Sequence, residues 1–174
     1  MSTNVDFLVL GSGIAGLSYA LKVCKFGKVA LITKKSDTES NTNHAQGGIA
    51  SVTSLDDSFG LHIQDTLVAG AGLCKEDAVE VLVKEGPGHV RELIELGVRF
   101  SKERLPNGEE RFALGREGGH SRRRILHADD LTGKEIERAL VVQAKREENI
   151  RLFEHDFAVD LITTRRPNGE LVCC

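Results

Sequence analysis

The sequence lacks the closely spaced cysteines that bind metals. Its four cysteines are Cys24, Cys74, Cys173 and Cys174, and none forms a C-x-x-C pair. Zinc sites and iron–sulfur clusters need recurring short spacings between their ligands. We therefore expect four ordinary reduced thiols and no bound metal.

Long apolar runs and an excess of basic charge are also missing. No stretch approaches the roughly 20 apolar residues that span a bilayer, and the formal net charge of the chain is −3. The first ten residues show no basic segment followed by an apolar segment, as a secretory signal would. These features predict a cytoplasmic globular protein that binds neither nucleic acid nor membrane.

Two short apolar runs, at 7–10 and 29–32, frame the first recognisable unit. Continuous rather than alternating apolarity is typical of strands covered on both faces, as in a parallel sheet. Between the runs, Ile14, Leu17, Leu21 and Cys24 share one face of a helix, and Gly27 lies where that helix should end. Residues 5–33 therefore predict a strand–helix–strand unit and an α/β fold.

The middle of the chain alternates a polar loop with helical patterns. Residues 34–58 form a polar stretch too long for a plain connection, which favours a ligand-binding loop. Helical spacing predicts helices at about 61–69 and 76–85. Residues 86–88, with the sequence Gly-Pro-Gly, are expected to break the pattern before a further helix at 89–96.

Turn and capping signals dominate the second half. Pro-Asn-Gly occurs at 106–108 and at 167–169, and each predicts a hairpin. Thr132 and Glu135 match a capping box, which predicts a helix through about residue 146 with Ile136, Leu140 and Ala144 inward. Alternation over 157–163 predicts a strand before the last turn. The sequence ends partway into an apparent returning strand, from which we expect a truncated frame.

The segment between the first strand and the first helix reads G-x-G-x-x-G. Its residues are Gly11, Ser12, Gly13, Ile14, Ala15 and Gly16. Gly11 permits a tight exit from the strand, Gly13 lets backbone amides reach a pyrophosphate, and Gly16 allows close helix packing. The helix N-terminus adds partial positive charge. This context predicts a dinucleotide site, and a glycine-rich turn without ligand is the alternative.

The end of the second strand departs from the usual dinucleotide pattern. An Asp or Glu normally accepts hydrogen bonds from the adenosine ribose there, whereas this strand ends at Thr33-Lys34-Lys35. An NAD-dependent dehydrogenase is therefore disfavoured. Lys34, through its backbone or its stem, and Asp37 or Glu39 remain alternative ribose contacts.

A second motif follows in the polar loop. Its residues are Ser40, Asn41, Thr42, Asn43, His44, Ala45, Gln46, Gly47 and Gly48. It resembles the S-H-T-x-x-A-Q-G-G flavin signature of the succinate dehydrogenase and fumarate reductase flavoprotein family, which lies along the flavin. The family's covalently linked histidine is matched by Asn41, which has no ring nitrogen to attach. The resemblance therefore implies non-covalent FAD. His44 is three residues away and is expected to pack on cofactor or core.

The stretch 116–133, which reads REGGHSRRRILHADDLTG, resembles the matching segment of the family's soluble branch, the L-aspartate oxidases. The resemblance covers nearly the whole chain in order. It implies a Rossmann-like FAD-binding domain with a parallel sheet and an added β-meander. Residues 1–174 would form the N-terminal part of that domain, and the family's capping and C-terminal helical domains would be absent, leaving the fold incomplete.

The same resemblance implies a reaction. It is FAD-dependent oxidation of L-aspartate to iminoaspartate, with reoxidation by oxygen or fumarate and use of the product for quinolinate and NAD biosynthesis, where quinolinate synthase is a possible partner. Glu117 is the candidate contact for the substrate amine, and His120 is a weaker candidate. The three arginines at 122–124 are expected to be surface charges or ion pairs, and His127 and Asp130 to order their loop. The chain alone is expected to be inactive.

Two other functions are compatible with these motifs. A fumarate reductase or succinate dehydrogenase flavoprotein would share the fold and differ in reaction. A nucleotide-binding or interaction module would fold without flavin and without dependence on Gly13.

Overall fold

The computed structural model describes residues 3–129 and 131–173. The chain divides into two compact units, one of Met1–Ser40 with Gln143–Cys174 and one of Asn41–Val142. The elements in chain order are β1 (Phe7–Leu10), α1 (Ile14–Val23), β2 (Val29–Thr33), β3 (Ile49–Ala50), α2 (Phe59–Ala69), α3 (Glu76–Glu95), β4 (Lys102–Arg104), β5 (Glu110–Phe112), β6 (Leu114–Gly115), β7 (Ile125–Leu126), α4 (Thr132–Ala144), β8 (Ile150–Glu154), β9 (Thr163–Arg165) and β10 (Leu171–Cys173).

The first unit is built on a parallel sheet with strand order β1-β2-β8. Leu31 in the central strand is aligned with Val9 on one side and Leu152 on the other. Helix α1 buries Leu17 and Leu21, which confirms the predicted strand–helix–strand unit and the α/β class. Strand β8, which pairs with β2 at the edge of the sheet, was not predicted from the sequence.

Two details of this unit differ from the sequence expectations. Helix α1 ends at Val23, well before Gly27, and Gly27 instead sits where a Cβ atom would press on the Asp6 side chain. Both faces of β2 are covered, whereas Leu8 and Leu10 of β1 remain 53% and 51% exposed. The continuous apolar pattern therefore predicted the burial of the central strand correctly, but it overestimated how far the side chains of β1 are buried.

The end of the first unit is a hairpin. Strands β9 and β10 pair antiparallel around the predicted turn at 167–169, which confirms that hairpin. The strand expected over 157–163 is wrong, since regular pairing begins only at Thr163. Phe157, Val159 and Leu161 are exposed. Alternation alone does not make a strand when no neighbouring strand supplies hydrogen bonds.

Helices α2 and α3 pack together in the second unit. The break expected at residues 86–88 is wrong, because α3 runs unbroken for 20 residues with Pro87 inside it. Its buried residues Val79, Val83, Val90 and Leu93 continue one helical stripe past the proline. Burial of that stripe outweighs the local cost of Pro87.

The antiparallel part of the second unit consists of two pieces. One is the hairpin of β4 and β5 around residues 106–108, as predicted. The other is a small sheet with strand order β3-β7-β6, in which β7 pairs with both neighbours. These pieces stand where the resemblance implied an added β-meander, although only β6 and β7 of the sheet are consecutive.

Helix α4 forms as predicted, and it buries Ile136, Leu140 and Ala144. The capping-box arrangement is wrong in detail. Thr132 already lies in the helix, and its hydroxyl accepts a hydrogen bond from the Ala128 amide at 3.1 Å. The Glu135 carboxylate accepts a bond from the Arg99 amide at 2.9 Å and pairs with Arg138 at 2.7 Å. The distant Arg99 amide and Arg138 of the same helix have therefore taken the Glu135 carboxylate away from the local cap.

Among residues 3–129 and 131–173, no helix is long and apolar enough to cross a bilayer. The same residues contain no cluster of three or more side chains able to hold a metal ion.

Candidate functional site

The loop from β1 to α1 has the geometry that its glycines predict. Gly11 has a φ of +105°, a conformation that side chains rarely adopt, and its amide donates to the Ile32 carbonyl at 2.8 Å. At Gly16 a Cβ atom would overlap the Gly11 carbonyl oxygen and lie 3.4 Å from Val9 Cγ1. The two glycines together bring the helix start close against the strand end.

The start of α1 fits a bound diphosphate. Gly13 is the N-cap residue, and in the described chain neither a capping side chain nor an acidic residue of the first turn neutralises this helix end. Ser12 is buried and donates from its hydroxyl to the Thr33 hydroxyl at 3.2 Å, which ties the loop to β2. Ile14 and Ala15 are exposed. The positive end of the helix dipole is therefore directed at a small-residue surface that suits an anion.

The three candidates for the ribose contact differ in their surroundings. Asp37 is buried, its carboxylate pairs with Lys145, and its amide donates to Glu154 at 2.8 Å. The bond to Asp37 raises the pKa of Lys145. Glu39 pairs with Lys35 at 3.3 Å. Lys34 is exposed directly after β2.

Residues 41–48, the second motif, pack closely against the backbone of α4 and β7. The Ala45 amide donates to the Thr42 carbonyl at 3.1 Å, and the Gly133 amide of α4 donates to the Ala45 carbonyl at 3.0 Å. A Cβ atom on Gly133 would overlap the Thr42 carbonyl oxygen, and one on Gly48 would overlap the Leu126 carbonyl oxygen. Backbone at this spacing requires glycine at both positions.

The remaining surface of this loop is open. Its exposed residues are Asn41, His44, Ala45, Gln46, Gly47 and Gly48, whereas Thr42 and Asn43 are half-buried. The imidazole of His44 is therefore at the surface, and any packing on a cofactor stays a prediction. An extended small and polar surface of this kind suits a flat ring system, which is what the resemblance implies.

Residues 116–121 form a closed loop that carries the candidate substrate contacts. The His120 amide donates to the Glu117 carbonyl at 3.2 Å, and Arg116 Nε donates to the His120 carbonyl at 2.8 Å. Gly119 has a φ of +85°. The Glu117 side chain is exposed and the His120 ring is half-buried. The loop thus presents one carboxylate outward and keeps one imidazole close to the protein.

A buried ion cluster lies beneath that loop, and sequence reasoning missed it. Arg124 is 0% exposed, and its guanidinium bonds Asp57 at 2.8 and 2.9 Å and Asp65 at 2.7 Å. Burial alone would lower the pKa of Arg124, but the bonds to the two carboxylates raise it. The partners are 67 and 59 residues away along the chain, so no local pattern marks them.

A pair of histidines borders the cluster. The His62 and His120 rings meet edge to face with centroids 6.0 Å apart. Burial lowers the pKa of His62, and the adjacent Arg124 and His120 lower it further. His62 was not singled out from the sequence, since a lone histidine within a helical pattern carries no specific signal.

The other two arginines of the run at 122–124 donate hydrogen bonds to nearby backbone carbonyls. Arg122 Nε donates to the Asp56 carbonyl at 3.0 Å, and Arg123 donates to the Leu114 carbonyl at 3.4 Å. The run is therefore part buried ion pair and part surface charge, in line with the sequence interpretation. The His127 carbonyl accepts from the Ser101 amide at 2.8 Å, and Asp130 lies outside the described residues.

An open groove of about 600 Å³ also lies in the second unit, between residues 53–56 and the β4–β5 hairpin. Among its charged lining residues, Lys102 and Glu110 pair at 3.7 Å, and Arg111 pairs with Glu103 at 2.6 Å. Neither Glu117 nor His120 lines it. The groove therefore offers no residue of the candidate site.

Comparison with known proteins agrees with these features. The model of the FAD binding domain family matches residues 6–173. The chain is 53% identical to the chloroplastic L-aspartate oxidase of Oryza sativa subsp. japonica over 97% of its own length and 25% of that protein. It is 50% identical to the L-aspartate oxidase of Yersinia pestis over 92% of its length and 30% of that protein. The chain thus spans between a quarter and a third of these curated relatives.

A solved structure shows the same fold. A variant of E. coli quinol fumarate reductase superposes with a TM-score of 0.84 at 32% identity, covering 94% of this chain and 28% of that one. The family match covers nearly every residue, including the G-x-G-x-x-G loop and residues 41–48. The chain therefore belongs to the FAD-binding domain family, and FAD is the cofactor that this family implies for it.

Proposed function

We propose that this chain binds FAD without a covalent bond and serves the oxidation of L-aspartate to iminoaspartate. The observation that carries the proposal is the glycine-rich start of α1 at Gly13, which has no side-chain cap and no acidic residue in its first turn and is seated against the end of β1 by Gly11 and Gly16. Relatives named L-aspartate oxidase over nearly the whole chain supply the substrate. The product would be used to make quinolinate for NAD biosynthesis, with quinolinate synthase as a possible partner.

The residues that would hold the cofactor fall into three groups. Residues 11–16 would bind the pyrophosphate with backbone amides at the helix start, and Lys34 would contact the adenosine ribose. Residues 41–48 would lie along the isoalloxazine, where Asn41 in place of the family's histidine leaves the flavin unattached. Bound FAD would supply the hydride acceptor, and oxygen or fumarate would reoxidise it.

The residues that would act on the substrate lie in the 116–121 loop. The exposed Glu117 carboxylate would accept hydrogen bonds from the ammonium group of L-aspartate and orient the Cα–H bond. His120 would offer a second hydrogen bond. L-aspartate carries two carboxylates, for which arginine side chains are the best partners. In the neighbouring segment, Arg116 is already bonded to the His120 carbonyl and Arg124 to Asp65.

FAD titration tests the cofactor assignment. The full-length gene product should quench flavin fluorescence on binding, and Gly13→Val should weaken FAD binding by at least about tenfold, or 1.4 kcal/mol, because its side chain would intrude on the pyrophosphate. Gly13 has a φ of −71°, so the substitution adds no backbone strain and the melting temperature should hold. A full-length gene product that is colourless after reconstitution with FAD and removal of the unbound flavin would overturn the proposal.

Acid precipitation tests the mode of attachment. Precipitated holoprotein should release its yellow colour into the supernatant, since Asn41 offers no nucleophile. A yellow pellet would instead indicate a covalent flavin and contradict the assignment.

Turnover tests the substrate. Hydrogen peroxide formation with L-aspartate should appear in the full-length gene product, whereas we expect none from residues 1–174 alone. A fumarate reductase is the second candidate, because the 0.84 superposition is with an enzyme of that name. Reduction of fumarate by a reduced dye without any oxidation of L-aspartate would favour that candidate.

A further inference from the structure

The Arg124 cluster contains two carboxylates, those of Asp57 and Asp65. Both bind the Arg124 guanidinium, but their other hydrogen-bond partners differ. Asp57 bonds Nε and Nη2 of Arg124, and its other bond is from the Ser58 amide at 2.8 Å. Asp65 bonds Nη1 of Arg124 at 2.7 Å. A fully buried guanidinium requires such partners because an unpaired buried charge is costly.

Asp65 alone of the two reaches the 116–121 loop. Its Oδ2 atom accepts from the Ser121 amide at 2.7 Å and from the Ser121 hydroxyl at 2.8 Å. The same oxygen also accepts the bond from Arg124. One carboxylate oxygen with three donors therefore joins helix α2 to the C-terminal end of the loop.

The loop is otherwise closed mainly on itself. Its internal bonds join Glu117 to His120 and Arg116 to His120, and the His120 ring meets His62 edge to face. A closed loop keeps its shape but needs an external attachment to keep its place. Ser121, next in sequence to His120, provides that attachment through Asp65.

We propose that Asp65 is a positioning residue, which acts through Ser121 to fix the loop that carries Glu117 and His120. The inference rests on the proposed function in assigning that loop to the substrate. Charge-assisted bonds to an ionised carboxylate are shorter and about twice as strong as neutral ones. An asparagine at 65 can place its carbonyl oxygen where Oδ2 lies, but that oxygen carries no net charge, so its bonds to Ser121 and Arg124 lose their charge assistance and hold the loop less firmly.

The pair Asp65→Asn and Asp57→Asn provides a matched test in the full-length gene product loaded with FAD. Each variant removes one negative charge from Arg124, and only the first alters the contact with Ser121. We expect Asp65→Asn to lower kcat/KM for L-aspartate by a factor of about 10 to 100 beyond the loss in Asp57→Asn. The affinity for FAD should stay within about twofold of the wild-type value.

Hydrogen exchange supplies a readout that does not depend on turnover. Peptides covering 116–121 should exchange faster in Asp65→Asn than in Asp57→Asn. Ser121→Ala, which keeps both ion pairs, should also accelerate that exchange and covers the case in which Asp65→Asn fails to fold. The double variant Asp65→Asn with Ser121→Ala should be no worse in kcat/KM than Asp65→Asn alone.

Equal losses of kcat/KM and equal exchange rates in the two aspartate variants would overturn the inference and leave a purely structural ion cluster. A wild-type protein that neither binds FAD nor oxidises L-aspartate would sink the proposed function instead. In that case unchanged exchange of 116–121 in Ser121→Ala and Asp65→Asn would separately refute the attachment.

Discussion

Asp65 offers the clearest pH-dependent test at the scale of single residues. Burial alone would raise the pKa of this carboxyl, but the bonds from Ser121 and Arg124 outweigh burial and lower its pKa to about 2. A carboxyl with a lowered pKa in the folded state stabilises the fold above its ordinary pKa of 3.8. That contribution is lost as pH falls toward 2.

The free energy of unfolding of the wild type should therefore exceed that of Asp65→Asn most at pH 5 and above. The difference should shrink steadily between about pH 4 and pH 2. Urea unfolding at pH 6, 4 and 3 measures both proteins. Ser121→Ala removes the hydroxyl bond to Asp65. The free energy of unfolding of this variant should therefore exceed that of Asp65→Asn by less than the wild type does, already at pH 6. A difference that stays constant down to pH 3 would show that the Asp65 pKa is not lowered.

Single residues differ in how far the sequence reveals them. The roles of Gly11 and Gly16 follow from a local requirement, a tight turn and a close helix, and the structure has both. Arg124 was placed only within a run of three arginines. Its burial depends on two aspartates about 60 residues away, and no spacing rule links residues at that separation.

Helix α3 shows how packing overrides a local signal at the scale of elements. Pro87 cannot donate to the Val83 carbonyl, and its ring crowds that carbonyl. The helix nevertheless continues, because Val83 and Val90 are buried on either side of the proline. Pro87→Ala should restore the hydrogen bond and raise the free energy of unfolding by about 1–3 kcal/mol.

Gly88→Ala is the matched control for Pro87→Ala. A Cβ atom at Gly88 meets nothing within 4 Å, so it should add only the helix propensity of alanine, about 0.5–1 kcal/mol. Urea unfolding of the three proteins measures the two gains. A Pro87→Ala variant that gains no more than Gly88→Ala would mean that the helix has already relieved the strain.

The approach of α4 to residues 41–48 gives a second prediction at this scale. Gly133→Ala would force its Cβ into the Thr42 carbonyl oxygen and to 2.9 Å from the Ala45 Cβ. We expect a loss of about 1–3 kcal/mol in the free energy of unfolding. Gly60→Ala, whose Cβ meets nothing within 4 Å, is the control in urea unfolding. Equal stability of the two variants would show that the loop yields freely.

Elements were predictable where the signal was both local and strong. Both Pro-Asn-Gly turns formed hairpins, because Gly108 and Gly169 adopt the positive φ that the turns require. The strand expected over 157–163 had alternation without a partner. Helix α4 was predicted from its cap, yet Glu135 accepts a hydrogen bond from the Arg99 amide, 36 residues away, a contact that sequence order does not show.

At the scale of the whole molecule, the predicted site residues are divided between the two units. Residues 11–16 and Lys34 belong to the first unit, and residues 41–48, Glu117 and His120 belong to the second. The first unit was predictable because a strand–helix–strand has one periodic pattern. The small sheet of the second depends on pairs such as Ile49 with Leu126, which periodicity does not show, and its site residues were predicted from the motif resemblance.

The first unit leaves several large apolar side chains in solvent, and this gives a test at the scale of the whole molecule. Val159 is 88% and Ile162 is 77% exposed. Exposed apolar surface of this kind favours binding of hydrophobic dyes and self-association. Val159→Lys with Ile162→Lys should lower binding of anilinonaphthalene sulfonate and change the free energy of unfolding by less than about 1 kcal/mol. Leu140→Ala, at a site with 0% exposure, should cost about 2–5 kcal/mol. If the lysine variant were as destabilised as Leu140→Ala, residues 159 and 162 would have to be covered in solution.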